Sequence, residues 1–409
     1  MPDLAVLEVL LHGTPIATLT RVSGDRTLFA FNDSFLADAG RPTLSLGFKD
    51  TLGHLIADFP PTATRLLPYF SNLLPEGRMR TYLAQRANVN PAREFFLLRA
   101  LGLDLPGAVS VRPADGEASP GDADLAQDGA ARDDATHAEA LRFSLAGVQL
   151  KFSAVAAARG GLAIPAEGVG GSWIVKLPSR EFAGVPENEF AMMTLARLIG
   201  MDVPATELVA LDSIGNLPAG IAALKGQALA IARFDRRPDG TAIHAEDFAQ
   251  VFGVYPEEKY RRAGYRNIAR VVGAETSDAD IREFVRRLTF NTLIGNADMH
   301  LKNWSLIYRD RRRAALAPAY DFVSTIAYLP DAEAALNFSR VKRFDGFTED
   351  EIAHLAAKAL LPAALVLDTA KETVALFHQH WKAAKKDLPL SATVARAIDD
   401  HVRTLPIAR

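Results

Sequence analysis

One stretch constrains this chain more than any other: Asn296-Ala297-Asp298-Met299-His300-Leu301-Lys302-Asn303, followed by Ala319-Tyr320-Asp321-Phe322. Asp298 carries a carboxylate able to accept a proton from an attacking hydroxyl. Asn303 and Asp321 carry hard oxygen ligands suited to Mg²⁺. The intervening residues set their geometry: 304–308 alternate as a strand does, Arg309-Asp310-Arg311-Arg312 reads as a turn, and 314–317 lead back. A hairpin of that length returns Asp321 beside Asn303, where ligands far apart in sequence can share one metal. Taken singly, Asp298 reads as a cap and Asp321 as a polar strand end. Taken with the upstream residues below, the set reads as a phosphoryl-transfer site.

At 409 residues the chain exceeds the size at which one core keeps growing, so two or three packed units are expected. Hydrophobic residues make up 49% and charged residues 23%, ordinary for a soluble globular protein, and the net charge of -3 argues against global attraction to nucleic acid. With 0 cysteines, disulfides, thiolate catalysis and zinc-thiolate sites are all removed. Met1-Pro2-Asp3-Leu4 lacks a basic leader, and no apolar run approaches membrane-spanning length. The expectation is a cytoplasmic protein without membrane contact. Arg261-Arg262 and Arg311-Arg312-Arg313 read as solvated surface.

Residues 4–20 read as two strands around the turn His12-Gly13-Thr14-Pro15, with a third strand at 27–31. Helical patterns cover 63–70 and 75–86; Pro91 opens a helix that Gly102 stops, and 105–111 reads as a strand. Residues 113–138, rich in Ala, Gly, Asp and Ser, read as a flexible linker or extended loop. The pattern then turns β-rich over 141–155, 172–177, 206–211 and 227–234, interrupted by one helix at 187–199. From His244 it is mostly helical, including 278–293, 349–360 and 363–382. This is the outline of an α+β, protein-kinase-like bilobal fold with an extra N-terminal α+β subdomain. The expected units are 1–112, a linker at 113–138, a β-rich small lobe at 139–237 and a helical large lobe at 238–409.

Ser172-Trp173-Ile174-Val175-Lys176-Leu177 puts a lysine inside an otherwise buried strand, which is costly unless its charge is paired. Glu189, on the helix that follows, is the natural partner, and such a pair presents a lysine to nucleotide phosphates. A snorkelling edge-strand lysine is the other reading. Arg142 through Lys151 reads as a loop between strands, in which Ala146, Gly147 and Val148 expose backbone N–H groups and Lys151 adds charge. Glu167-Gly168-Val169-Gly170-Gly171 reads as a turn, because a strand rather than a helix follows it. Ala232, Arg233 and Phe234 end the last small-lobe strand. That is where a hinge meets adenine, and equally where a solvated charge cluster could sit.

Together these residues resemble the HipA family of bacterial serine/threonine kinases, toxins of type II toxin–antitoxin pairs. The resemblance runs through Tyr69-Phe70-Ser71-Asn72-Leu73-Leu74-Pro75-Glu76, the Phe143–Lys151 loop, Asn188-Glu189-Phe190, Arg233-Phe234-Asp235-Arg236, His244 through Gln250, Asp298 through Asn303, and Tyr320-Asp321. It implies ATP and Mg²⁺ as cofactors, Asp298 as proton acceptor, and Asn303 and Asp321 as metal ligands. It further implies Lys176, paired with Glu189, and the loop Ala146, Gly147, Val148, Gln149, Leu150 and Lys151 on the phosphates. Ala232, Arg233 and Phe234 would meet adenine, and His300 and Tyr320 would line the nucleotide. Ser144 matches a serine that family members phosphorylate in themselves, ejecting the loop.

The implied partners are a HipB-like helix-turn-helix antitoxin, DNA only indirectly through it, and a protein substrate of the aminoacyl-tRNA synthetase class. Three departures stand out: Ala232 where some members carry glutamate, Met299 where others carry glycine, and a longer 113–138 stretch. A small-molecule kinase and a non-catalytic co-repressor module are the competing readings. The N-terminal unit argues against the first; intact Asp298, Asn303, Asp321 and Lys176 argue against the second.

Overall fold

The computed structural model describes residues 5–114, 151–156, 161–164, 171–179, 181–217, 224, 226–329 and 333–409. Ser144, the loop residues 146–150, residues 167–170 of the Gly-rich turn and nearly all of the expected linker lie outside the described residues.

The N-terminal unit is one antiparallel sheet in the order β4-β3-β2-β1-β5, built from β1 (Ala5–Leu11), β2 (Thr14–Val22), β3 (Arg26–Phe31), β4 (Thr62–Ala63) and β5 (Val109–Pro113). His12 and Gly13 both take positive φ, 53° and 79°, as the tight turn between β1 and β2 requires. The expected helix at 63–70 is corrected. Residues 62–63 pair with β3, Thr64 takes a φ of 64°, and helix begins only where Pro68 supplies a pre-set φ. Four helices cover the sheet: α1 (Asp33–Ala37), α2 (Pro68–Leu73), α3 (Gly77–Arg86) and α4 (Glu94–Leu101). The strand expected at 105–111 starts later, at Val109, and takes in Pro113, which had been assigned to the linker.

The second sheet has the order β10-β7-β6-β8-β11-β9, from β6 (Lys151–Ala156), β7 (Leu162–Ala163), β8 (Trp173–Lys176), β9 (Thr206–Ala210), β10 (Ile214–Gly215) and β11 (Gln227–Ala232). Helix α5 (Val185–Leu198) crosses behind it. A third, short sheet, β12 (His244–Asp247), β13 (Ser305–Tyr308) and β14 (Ala315–Leu316), sits among six helices. These are α6 (Phe248–Val251), α7 (Tyr265–Glu275), α8 (Asp278–Leu293), α9 (Glu349–Ala359), α10 (Ala363–Ala384) and α11 (Ala392–Thr404). No helix among the described residues is long and apolar enough to cross a membrane.

Helix α5 does more than back its own sheet. Ala191, Met192, Met193 and Leu195 share one buried cluster with Phe284, Phe290, Trp304, Phe322 and Phe377 of the large lobe. The N-terminal unit is tied on by polar contacts. Buried Glu246 accepts from the Leu46 N–H at 2.9 Å and from the hydroxyls of Ser45 and Tyr308. The Gly107 N–H donates to Asp235 at 2.8 Å.

Candidate active site

Helix α8 leads into the 296–303 segment. Ser277 and Asp280 form a capping box at its N-terminus, and its buried face includes Phe284, Leu288 and Leu293. Its C-terminal end runs into Gly295, whose φ is 63° and where a Cβ would come within 2.6 Å of Ile326. Only glycine fits that exit. Asn296, buried at the next position, joins both aspartates: its Oδ1 accepts from the Asp298 N–H at 3.0 Å and its Nδ2 donates to the Asp321 carbonyl at 3.2 Å. The Asp298 carbonyl in turn accepts from the His300 N–H and from Asn303 Nδ2, both at 2.8 Å. With its nitrogen thus engaged, Asn303 has its amide oxygen left for a cation.

The hairpin behaves as its sequence pattern requires. Leu306 pairs with Leu316, the Ala317 N–H donates to the Ser305 carbonyl at 2.9 Å, and the Tyr320 hydroxyl donates to the Lys302 carbonyl at 2.9 Å. The chain reaches Asp321 with a φ of 58°, a left-handed conformation uncommon for a non-glycine residue and characteristic of functional positions.

Lys176 ends β8 with Leu229 of β11 on one side and Lys151 of β6 directly across on the other. It is 8% exposed, while Glu189 is fully buried at 0%. Its Nζ lies 2.5 Å from Glu189 Oε1 and also bonds to Asp321 Oδ1. The expected pairing to Glu189 is present, and Asp321 joins it.

Burial lowers the Lys176 pKa; Asp321 and Glu189 more than offset this and hold the ammonium above its ordinary range. Burial would also raise Asp321, yet Lys176 and Lys151 bring it down to about 2. Glu189, at the deepest point, is pushed up by burial in spite of the ammonium beside it.

Asp298 is solvent-accessible. Desolvation by the protein around it pushes its carboxyl up, while a 2.5 Å hydrogen bond donated by the Tyr260 hydroxyl pulls it back. His300 is buried beside it, its Nδ1 without a partner among the described residues, and burial followed by the nearby Lys259 charge takes its pKa down to about 3. The ring is therefore neutral.

Asn303 and Asp321 suit Mg²⁺: both are hard oxygen donors, and Asp321 is ionised at any physiological pH. No group of three or more His, Cys, Asp or Glu side chains able to hold a metal occurs among the described residues. A magnesium here would take its remaining ligands from water and phosphate, as that ion usually does.

The hinge residues divide. Phe234 stacks on Tyr320 with ring centroids 5.6 Å apart at 26°. The N–H groups of Ala232 and Arg233 are engaged by the carbonyls of Ala205 and Ser172, each at 2.8 Å. The Arg233 side chain is buried and faces away, bonded to Asp104 and Asp235 at 2.9 Å each. Neither a nucleotide contact by that guanidinium nor a solvated charge cluster describes it. It is a strut between the N-terminal unit and the small lobe.

Three functional contacts escaped sequence reasoning. The sequence pattern assigns Asn296 no role, although its place two residues before Asp298 suits a turn. Glu76 had been matched only as part of a motif; its carboxylate lies between Lys259, at 2.7 Å, and Lys302, at 2.9 Å. Tyr260 had no signal at all. A separate cavity of about 480 Å³ lies between residues 35–55 and the hairpin tip Asp310–Arg313, lined by none of the candidate-site residues.

The HipA N-terminal domain model matches residues 7–112, and the HipA-like C-terminal domain model matches residues 143–381. This chain belongs to the HipA family. Among HipA-related sequences, the Sinorhizobium fredii protein Y4dM, provisionally named a kinase, is 58% identical over 100% of this chain and 99% of its own length. The Shewanella oneidensis serine/threonine-protein kinase toxin HipA is 27% identical, covering 69% of this chain and 68% of that protein. A solved Shewanella oneidensis complex of HipA, HipB and operator DNA contains a chain of the same fold. That match has a TM-score of 0.72 at 21% identity and covers 98% of this chain and 96% of that one. The HipA fold is thus the kinase-like bilobal arrangement with the extra N-terminal unit described above.

Proposed function

We propose that this HipA-family chain is a Mg-ATP-dependent serine/threonine protein kinase that acts as a toxin. The observation that carries the reading is Lys176, bonded to Glu189 and Asp321 beside a solvent-accessible Asp298 carboxylate. In this reading Asp298 accepts the proton of the acceptor hydroxyl as that oxygen bonds to the γ-phosphorus. The bond to the β–γ bridging oxygen breaks, and its electron pair leaves with ADP. Asn303 and Asp321 hold magnesium, which when bound neutralises charge on the transferring phosphates. Lys176, Lys151 and the loop 146–150 contact the phosphates. The Ala232 carbonyl and Phe234 N–H meet adenine, with His300 and Tyr320 lining the nucleotide.

Family membership supports the finer assignments. They are a protein substrate of the aminoacyl-tRNA synthetase class, whose phosphorylation stalls translation, and neutralisation by a HipB-like helix-turn-helix antitoxin that brings the chain to DNA indirectly. Autophosphorylation at Ser144 is part of the same reading, because about −1.5 to −2 of added charge would repel the ATP phosphates from the adjoining loop. Repression of transcription together with the antitoxin is an additional role that the HipA–HipB–DNA neighbour favours.

Phosphoproteomics after induced expression, run beside Asp321→Asn, tests this reading. A synthetase phosphopeptide that appears only with the parent chain supports it, and full activity in Asp321→Asn refutes the metal assignment. Peptide mass spectrometry after incubation with Mg-ATP tests Ser144. Phosphate absent there while other proteins are modified removes the self-inhibition.

A further inference from the structure

Tyr260 lies just beyond the short 3-10 turn Pro256–Glu258 and is 40% exposed, unusual for a tyrosine at the centre of a polar site. Its hydroxyl donates to Asp298 Oδ1 at 2.5 Å. Its ring is held edge-on by His300, centroids 4.9 Å apart at 84°, with the Lys259 ammonium 5.7 Å from the ring centre. The hydroxyl therefore makes the contact an acceptor serine or threonine must make: an O–H aimed at the proton-accepting carboxylate. The half-exposed ring has room to turn outward without opening the core.

We infer that Tyr260 is a built-in stand-in for the acceptor hydroxyl, occupying Asp298 in the resting enzyme and yielding it when a protein substrate arrives. The inference rests on Asp298 being the proton acceptor. Water is the competitor this arrangement excludes. An unoccupied carboxylate beside bound ATP would activate water and hydrolyse the nucleotide, whereas the phenol takes Oδ1, the position from which a water would be activated, and leaves only Oδ2 to solvent. The stand-in must also be removable, and one charge-assisted hydrogen bond from a surface side chain meets that condition.

The test is Mg-ATP hydrolysis without any protein acceptor, measured across pH for the full chain, Tyr260→Phe and Asp298→Asn. Phenylalanine keeps the ring against His300 and removes only the donor. Tyr260→Phe should hydrolyse ATP on the order of tenfold faster at its plateau, the scale of one hydrogen bond to a charged group. Its KM for ATP should be unchanged. The acid limb should move to higher pH, because losing the donor destabilises the carboxylate. A plateau and acid limb identical to the parent's, with Asp298→Asn inactive, overturn the stand-in alone. Undiminished hydrolysis by Asp298→Asn overturns both the stand-in and the base on which it rests. Phosphate found on Tyr260 also overturns it, since the phenol would then be an acceptor.

Discussion

Glu76 of the N-terminal unit bonds to Lys302, the neighbour of Asn303 in the catalytic segment, at 2.9 Å. A second lysine, Lys259, reaches the same carboxylate at 2.7 Å, and Lys302 also donates to the Asn72 carbonyl at 2.9 Å. The N-terminal unit thus holds the 298–303 segment directly.

Glu76→Gln should loosen that hold, costing about 1 kcal/mol because the carboxylate is partly exposed and screened, with a several-fold fall in turnover. Burial raises the Glu76 carboxyl, and Lys302 and Lys259 more than offset it, leaving a pKa of about 2 against an ordinary 4.5. A carboxyl depressed by folding stabilises fully above its unfolded pKa and loses that contribution as pH falls through the folded one. The difference between parent and Glu76→Gln should therefore be complete above about pH 4.5 and fade toward pH 2. Urea melts across that range measure it.

Lys176→Met should reveal the buried carboxylate behind it. Already raised to about 7 with the ammonium present, Glu189 would be raised further without it. A carboxyl raised by folding favours the native state below its unfolded pKa and loses that favour as pH rises through the folded one. The variant should lose stability from about pH 4.5 upward more steeply than the parent, by about 3 kcal/mol where Glu189 is forced to ionise. Melts at pH 5 and pH 8 that differ no more than the parent's would refute this.

Asp298→Asn should leave nucleotide affinity intact while cutting single-turnover phosphorylation by on the order of 10²–10⁴, the usual worth of a general base. A large loss of ATP affinity with unchanged chemistry would reverse the assignment.

Asp321→Asn should abolish transfer and erase the magnesium dependence of ATP binding. Calorimetry with and without the metal reads this directly, and binding that still tightens with magnesium would transfer the metal to other ligands.

Local chemistry explains what was legible. Helix α8 was read to the residue because Ser277 and Asp280 cap it and Leu293 meets an obligatory glycine turn. The Lys176–Glu189 contact was legible because a lysine inside a buried strand needs a partner, and the helix that follows offers one. The misreadings all involve contacts across long sequence distances. Residues 63–70 look helical until Arg26 and Thr27 arrive to pair with 62–63. Arg233 looks solvated until Asp104, 129 residues upstream, buries it. Tyr260 finds Asp298 only once the segment before α7 has packed beside the catalytic segment.

The register of β6 against β8 sets Lys151 directly opposite Lys176 on one face. Like charges so placed oppose strand pairing, a term that Asp321, which attracts both ammonium groups, already offsets in part and that a polyphosphate would offset further. Ligand occupancy should then be legible as mechanical cohesion. The seam should exchange its amide hydrogens quickly in the free protein and slowly once an anion lies between the two ammonium groups.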